Sequence, residues 1–161
     1  MKRPWALPLL AALCLTAGAA VAQPVVTYSK TGAKFSDVRD DLKTAIESKG
    51  FVIDYQSHIG TMLERTGKDV GSSKKLYEDA QALQFCSAQL SRKMMEADPA
   101  NVVMCPYTLV VWATADRPDR VFVAYRRPMR QGQGVSTASR AALREVDALL
   151  DGLAREAVGH K

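Results

Sequence analysis

The chain has 161 residues, a formal net charge of +5 and 47% hydrophobic residues. That length suits a single globular domain, since domains typically contain about 100–150 residues. Basic and acidic residues alternate along most of the chain, and the one short basic cluster consists of Arg126, Arg127 and Arg130. The charge pattern therefore gives no reason to expect a nucleic-acid partner.

The first 22 residues have the features of a cleavable secretory signal peptide. Lys2 and Arg3 precede an apolar stretch at 7–15, and Ala20-Val21-Ala22 is an A-x-A cleavage site. The apolar stretch is shorter than the roughly 20 residues that span a membrane. We therefore expect cleavage after Ala22 and a periplasmic or secreted protein without a membrane span. Removing Lys2 and Arg3 lowers the formal charge from +5 to +3.

Apolar periodicity and turn residues define the elements of the first half of the mature chain. Glycine ends the first helix because it adopts the left-handed conformation easily. In chain order, the patterns predict a strand at 25–29, a helix at 37–49, a strand at 51–56, a short helix at 59–65 and a loop at 67–75.

The second half begins with an ambiguous segment at 77–85, for which periodicity alone does not separate strand from helix. We favour a strand over 80–85. Ser87 caps the next helix, which ends at Asp98 because the residue before a proline avoids the helical region. The remaining patterns predict a strand at 107–114, a strand at 120–125, a linker at 128–136 and an amphipathic helix at 137–158.

This order of elements predicts a two-layer α+β fold, with helices on one face of a largely antiparallel sheet and a long C-terminal helix. The opposite sheet face also carries apolar side chains, among them Trp112 and Phe122. An apolar open face marks a partner or ligand surface. We expect a homodimer through this face; the alternative is that the C-terminal helix covers it.

Cys86 and Cys105 are the two cysteines that remain after signal cleavage. In an oxidising compartment such a pair favours a disulfide, which would stabilise the fold by roughly 3 kcal/mol. The bond cannot form if the strands ending at Phe85 and beginning at Tyr107 are parallel neighbours, because the cysteines would then lie at opposite ends of the sheet. The bonded and the free states both remain open.

The same cysteines, with His58, are also soft or borderline ligands for copper or haem iron. No C-x-x-C-H motif is present, which excludes a covalent c-type haem. Asp54 lies about 13 Å from His58 along an extended strand, so the two form no local catalytic pair. Asp54 is interpreted as an edge residue or as a partner of Arg126. We predict no catalytic residue and no cofactor, with copper or haem as the alternative.

The segments F-C-S-A, M-E-A-D-P, C-P-Y and V-A-Y-R-R-P resemble the domain of unknown function 302 family (DUF302), in its exported proteobacterial branch. Residues 50–58 match the same pattern, and the resemblance covers about 35–128. It implies a TATA-binding-protein-like α+β fold that is often dimeric, and it implies no established activity. The positions that match the family motifs are His58, Cys86, Cys105, Pro106, Tyr107 and Arg126.

The sequence therefore predicts an exported, non-catalytic domain that binds a ligand or a protein partner. The alternative is a metal-, haem- or redox-linked protein that uses His58, Cys86 and Cys105. Candidates for the interface or ligand face are Asp54, Trp112, Phe122 and Arg126. The predicted boundaries are a signal peptide at 1–22, an α+β domain at 23–127, a linker at 128–136 and the C-terminal helix at 137–158.

Overall fold

In a computed structural model, which describes residues 24–130 and 134–160, five strands form one antiparallel sheet in the order β1-β5-β4-β3-β2. The strands are β1 (Val25–Thr31), β2 (Ile53–His58), β3 (Tyr77–Phe85), β4 (Tyr107–Thr114) and β5 (Arg117–Arg126). The ambiguous segment is thus a strand, as favoured from the sequence. The predicted signal peptide, and residues 131–133 of the predicted linker, lie outside the described residues.

Four α-helices complete the predicted α+β fold: α1 (Phe35–Ser48), α2 (Ile59–Thr66), α3 (Ala88–Ala97) and α4 (Thr137–Ala157). Short 3-10 helices lie at Lys68–Val70 and Pro99–Met104. The predicted long C-terminal helix is confirmed. The Ser87 cap is also present, since its side chain accepts a hydrogen bond from the backbone N–H of Leu90. No helix within 24–130 or 134–160 is long and apolar enough to cross a membrane.

The core lies between one face of the sheet and the helices. Side chains alternate along β4, so Leu109 and Val111 are fully buried while Val110 and Trp112 on the other face are half-buried. The apolar sides of α1 and α4 pack on the buried face, where they contact Val121 and Val123 of β5. The C-terminal helix therefore shares the face of α1, and the alternative that it covers the Trp112 face is wrong.

Candidate functional site

A groove of about 810 Å³ lies mainly on the sheet face opposite the core and extends past the sheet to Tyr107, Tyr125 and Leu150 of the core side. The groove floor consists of open-face residues of three neighbouring strands, in register with one another: Ala80 and Ala82 of β3, Val110 and Trp112 of β4, and Ala124 of β5. The three alanines add depth because a methyl side chain rises little above the sheet. The volume lies within the range of about 300–1,000 Å³ that is usual for small-molecule sites.

The groove has an aromatic end beside Trp112. The rings of Trp112 and Phe122 stack with their centroids 5.1 Å apart and their planes 13° apart, because the two residues face each other across β4 and β5. The guanidinium of Arg120 lies 5.1 Å from the centre of the Phe122 ring. Ile59, the first residue of α2, forms the wall at this end. The structure thus brings together the two aromatic residues that the sequence placed on the open face.

Helix α2 closes the aromatic end because Gly60 allows it to approach β3. A Cβ atom at Gly60 would lie only 2.8 Å from the backbone nitrogen of Ala80 and 2.9 Å from the Oδ1 atom of Asp79. Any larger residue at this position must therefore move the helix or the strand. This close contact places Ile59 beside the floor, and the sequence pattern alone gave no sign of it.

The opposite end of the groove is basic. Arg126 and Arg127 line it, beside Val25 of β1, and the lining residues within the described ranges include no Asp, Glu or Lys. Arg127 is paired with Asp147 of α4, with its Nη1 atom 3.2 Å from Oδ2. Arg126 is exposed and has no carboxylate partner among residues 24–130 and 134–160. One unpaired positive charge therefore lies at this end of an apolar groove.

The wall at the basic end belongs to the segment that carries Val103, Met104 and Pro106. Asn101, fully buried, holds this segment against two helices. Its Nδ2 group donates to the backbone oxygen of Met94, at 2.7 Å, and to the Oγ atom of Ser139, at 2.8 Å. A buried amide with satisfied partners fixes its neighbours in one position.

Of the two states that the sequence left open, the structure has the disulfide between Cys86 and Cys105, with their Cα atoms 6.5 Å apart. It forms because β3 and β4 are antiparallel and Phe85 pairs with Tyr107, so the flanking cysteines are neighbours at the same edge of the sheet. A parallel arrangement of β3 and β4 would have separated the cysteines, and the structure does not have it. Since Pro106 follows Cys105, the disulfide also anchors the groove wall to the end of β3.

The structure does not bring His58 to the cysteines. His58 pairs with Gln81 on β3, five residues before Cys86, which corresponds to about 17 Å along the strand. Disulfide-bonded sulfur is not the thiolate that binds a metal. Within 24–130 and 134–160, no group of three or more His, Cys, Asp or Glu side chains has a geometry that fits a metal ion.

Asp54 lies on the exposed edge strand β2, where the register with β3 shifts between Ile53 and Tyr55. Strands β3 and β4 separate it from β5, so the suggested pairing with Arg126 does not occur. The edge interpretation of Asp54 is therefore the correct one.

A polar cluster that no sequence pattern predicts joins β1, β5 and α4 on the core side. Asp151 accepts hydrogen bonds from the hydroxyls of Tyr28 (2.5 Å) and Tyr125 (3.4 Å), and from the Nε atom of Arg155 (2.7 Å). Burial raises the pKa of both tyrosines, and the nearby carboxylates raise it further. Burial alone would raise the pKa of Asp151, but these hydrogen bonds outweigh it and keep that pKa below its usual value.

The architecture defines a small α+β domain with one sheet face covered by helices and the other face open. The model of the domain of unknown function DUF302 matches residues 26–157, and the chain therefore belongs to the DUF302 family. The match includes α4.

A similar solved structure is the crystal structure of an uncharacterized conserved DUF302 protein from Bacillus stearothermophilus. The TM-score is 0.68 at 14% sequence identity, and the match covers 84% of this chain and 99% of that chain. At this identity the likeness shows the fold alone. No curated protein is significantly similar to this chain.

Proposed function

We propose that the protein is an exported, non-catalytic binding domain that takes a small ligand into the groove on the open sheet face. The observation that carries this proposal is the groove itself, with an apolar floor and a volume of about 810 Å³. Burying the apolar part of a ligand there would gain roughly 25 cal/mol for each Å² removed from water. Such sites are typically apolar, with a few polar groups that orient the ligand.

The lining chemistry supports binding rather than catalysis. Its side chains are mainly aliphatic or aromatic, and the described lining contains no His, Cys, Asp, Glu or Lys. General acid–base catalysis uses these residue types in most enzymes, and the tyrosines of the lining, Tyr77, Tyr107 and Tyr125, have none of them beside them in the described lining. The arginines of the lining carry planar guanidinium groups whose N–H donors match an anion and orient it.

Export is proposed from the signal-peptide pattern at 1–22, and the placement of Cys86 and Cys105 at one sheet edge fits an oxidising compartment. Intact mass spectrometry of the periplasmic fraction, without reductant, tests this part. We expect a chain that begins at Gln23 and is lighter by two hydrogens than the dithiol form. A full-length chain in the cytoplasmic fraction would contradict export.

Binding is testable because Trp112 is the one tryptophan of the predicted mature chain, the other being Trp5. The neutral apolar dye N-phenyl-1-naphthylamine absorbs where tryptophan emits. We expect saturable binding with energy transfer from Trp112. Ala82→Leu fills the floor of the groove and is expected to weaken binding, whereas the same change at the exposed Ala88 of α3 serves as the control.

The dye experiment has clear contrary results. Absence of saturable dye binding to the wild-type protein would contradict the proposed function. So would an Ala82→Leu variant that unfolds cooperatively and still binds the dye as the wild type does. Equal loss in the Ala82 and Ala88 variants would show that the effect is not specific to the groove.

The homodimer predicted from the sequence stays a prediction. Two copies joined through their open faces would cover Trp112 and Phe122 and close the groove. Light scattering after size exclusion measures the oligomeric state, and charged residues at both positions are expected to give a monomer. A dimer that persists in the Trp112→Glu, Phe122→Glu variant would use another surface.

The metal-, haem- or redox-linked alternative also stays a prediction. It requires bound metal or a haem absorption band in the purified protein, and loss of that signal in Cys86→Ser. Elemental analysis and an absorption spectrum of protein purified from the periplasm decide it.

A further inference from the structure

The lining of the groove differs at its two ends: Arg126 and Arg127 lie at one end and Trp112 at the other, where Arg120 lies over the Phe122 ring and outside the lining. This difference in the lining indicates a class of ligand. We infer that the ligand is an amphipathic anion of medium length, such as a carboxylate with an acyl chain of ten to twelve carbons. Its carboxylate pairs with Arg126, and its chain lies over Val110 toward Trp112. This inference rests on the proposed function and specifies its ligand.

The charge argument starts from Arg126. It lines the groove at the basic end, it is exposed, and it has no carboxylate partner in the described part of the chain. The neighbouring Arg127 is already held by Asp147, and Arg130 by Asp98. Arg126 is therefore the guanidinium of this cluster that remains available for a ligand. A guanidinium matches the planar geometry of a carboxylate and binds it through two parallel hydrogen bonds.

The same lining disfavours a positively charged ligand. The described lining contains no carboxylate, and its charged groups are the guanidiniums of Arg126 and Arg127, which would repel a cationic ligand. A fully neutral apolar ligand would fill the floor without using the charge. The groove therefore favours an anionic ligand over a cationic or a neutral one.

The length argument comes from the sheet register. Arg126 pairs with Val25 at one end of β5, and Thr108 lies at the same end of the groove, next to Leu109, which pairs with Tyr125. From Thr108 to Trp112 is about 14 Å at roughly 3.4 Å per residue. Because its bonds of about 1.5 Å zigzag, an extended alkyl chain advances about 1.3 Å per bond, so about ten to twelve carbons cover most or all of this distance.

The floor between these ends is suited to an acyl chain. Ala82, Val110 and Ala124 lie side by side across three strands, and each presents only methyl groups or a short branched side chain. The Trp112 ring, backed by Phe122, closes the far end with an aromatic surface. The chain can therefore lie flat on an apolar surface while its head group stays at the exposed rim.

The test compares three probes that share a ten-carbon chain: decanoate, decanol and decyltrimethylammonium, each below its micellar concentration. Displacement of N-phenyl-1-naphthylamine and quenching of Trp112 report binding to the mature protein. We expect decanoate to bind roughly tenfold more tightly than decanol, the size of effect expected for a charge-assisted hydrogen bond, and the ammonium probe to bind most weakly.

Arg126→Gln is the decisive variant, because the residue is exposed and its replacement does not disturb the core. We expect it to lose the preference for decanoate while its affinity for decanol stays unchanged. Arg92→Gln is the matched control, since Arg92 lies exposed on α3 and is paired only with Glu96. It is expected to retain the full preference.

The possible results separate the inference from the proposed function. Equal affinities for decanoate and decanol, or a preference that survives in Arg126→Gln, would overturn the inference and leave a neutral-ligand site in place. Failure of every probe to displace a bound dye would overturn the inference alone, whereas absence of saturable dye binding would overturn both. Exclusion of the probes by a stable dimer, relieved by Phe122→Glu, which leaves Trp112 in place, would show that the occupant is a second copy and overturn the inference.

Discussion

Removal of the Cys86–Cys105 disulfide is expected to lower the free energy of unfolding by about 3 kcal/mol. The bond joins residues 19 positions apart. For a closed loop of this size, the chain-entropy relation gives a loss of roughly 11 cal/mol/K in the unfolded state, or about 3.3 kcal/mol at 25 °C. The bond also anchors the Pro106 wall to β3, so the native state should loosen locally when the bond is absent.

The assay is urea unfolding of the mature wild-type protein, without reductant, and of the Cys86→Ser, Cys105→Ser double variant, followed by Trp112 fluorescence. With a slope of about 2 kcal/mol/M, the midpoint should fall by roughly 1.5 M. The reduced wild type is the control and should behave as the double variant does. Midpoints that agree within about 0.25 M would refute the loop-closure reasoning. Hydrogen exchange should show faster opening at residues 99–106 in the variant.

Three further predictions concern packing and protonation. Asn101→Ala leaves two buried polar partners unpaired and should cost about 2–3 kcal/mol in urea unfolding. Gly60→Ala forces a contact with Ala80 and should destabilise by about 1–3 kcal/mol, whereas Gly152→Ala, which meets nothing within 4 Å, should stabilise by about 0.5–1 kcal/mol. Burial raises the pKa of Tyr125 in the folded state, so stability should be complete below pH 10 and fall as the pH rises above it, and Tyr125→Phe should reduce this fall in alkaline unfolding curves.

The elements with strong local patterns were predictable from the sequence. Helices α1 and α4 have apolar residues every three or four positions, and buried and half-buried side chains alternate along all of β4. Each pattern therefore fits one type of secondary structure. The segment that became β3 was ambiguous because Ala80 and Ala82 are small and fit a helix as well as a strand. Its identity is decided by pairing with β2 and β4, which local periodicity does not contain.

The candidate site was predictable only in part for the same reason. Trp112 and Phe122 were placed on one face because side chains alternate along a hairpin, and Arg126 follows on the same strand. The disulfide depended on the antiparallel pairing of β3 with β4. The groove also requires the close approach of α2 at Gly60, which is a tertiary contact.

The polarity of the open face itself argues for a binding role. On β1, three of the four residues on this face, Thr27, Ser29 and Thr31, are polar and suited to contact with water, and the fourth, Val25, lines the groove. On the adjoining strands the same face carries Val110 and Trp112, and there the groove lies. One continuous sheet face therefore has a hydrophilic part at its edge and an apolar part at its centre. An apolar surface left uncovered favours aggregation, and the concave shape of its central part, with Arg126 at one end, supports the proposed ligand site.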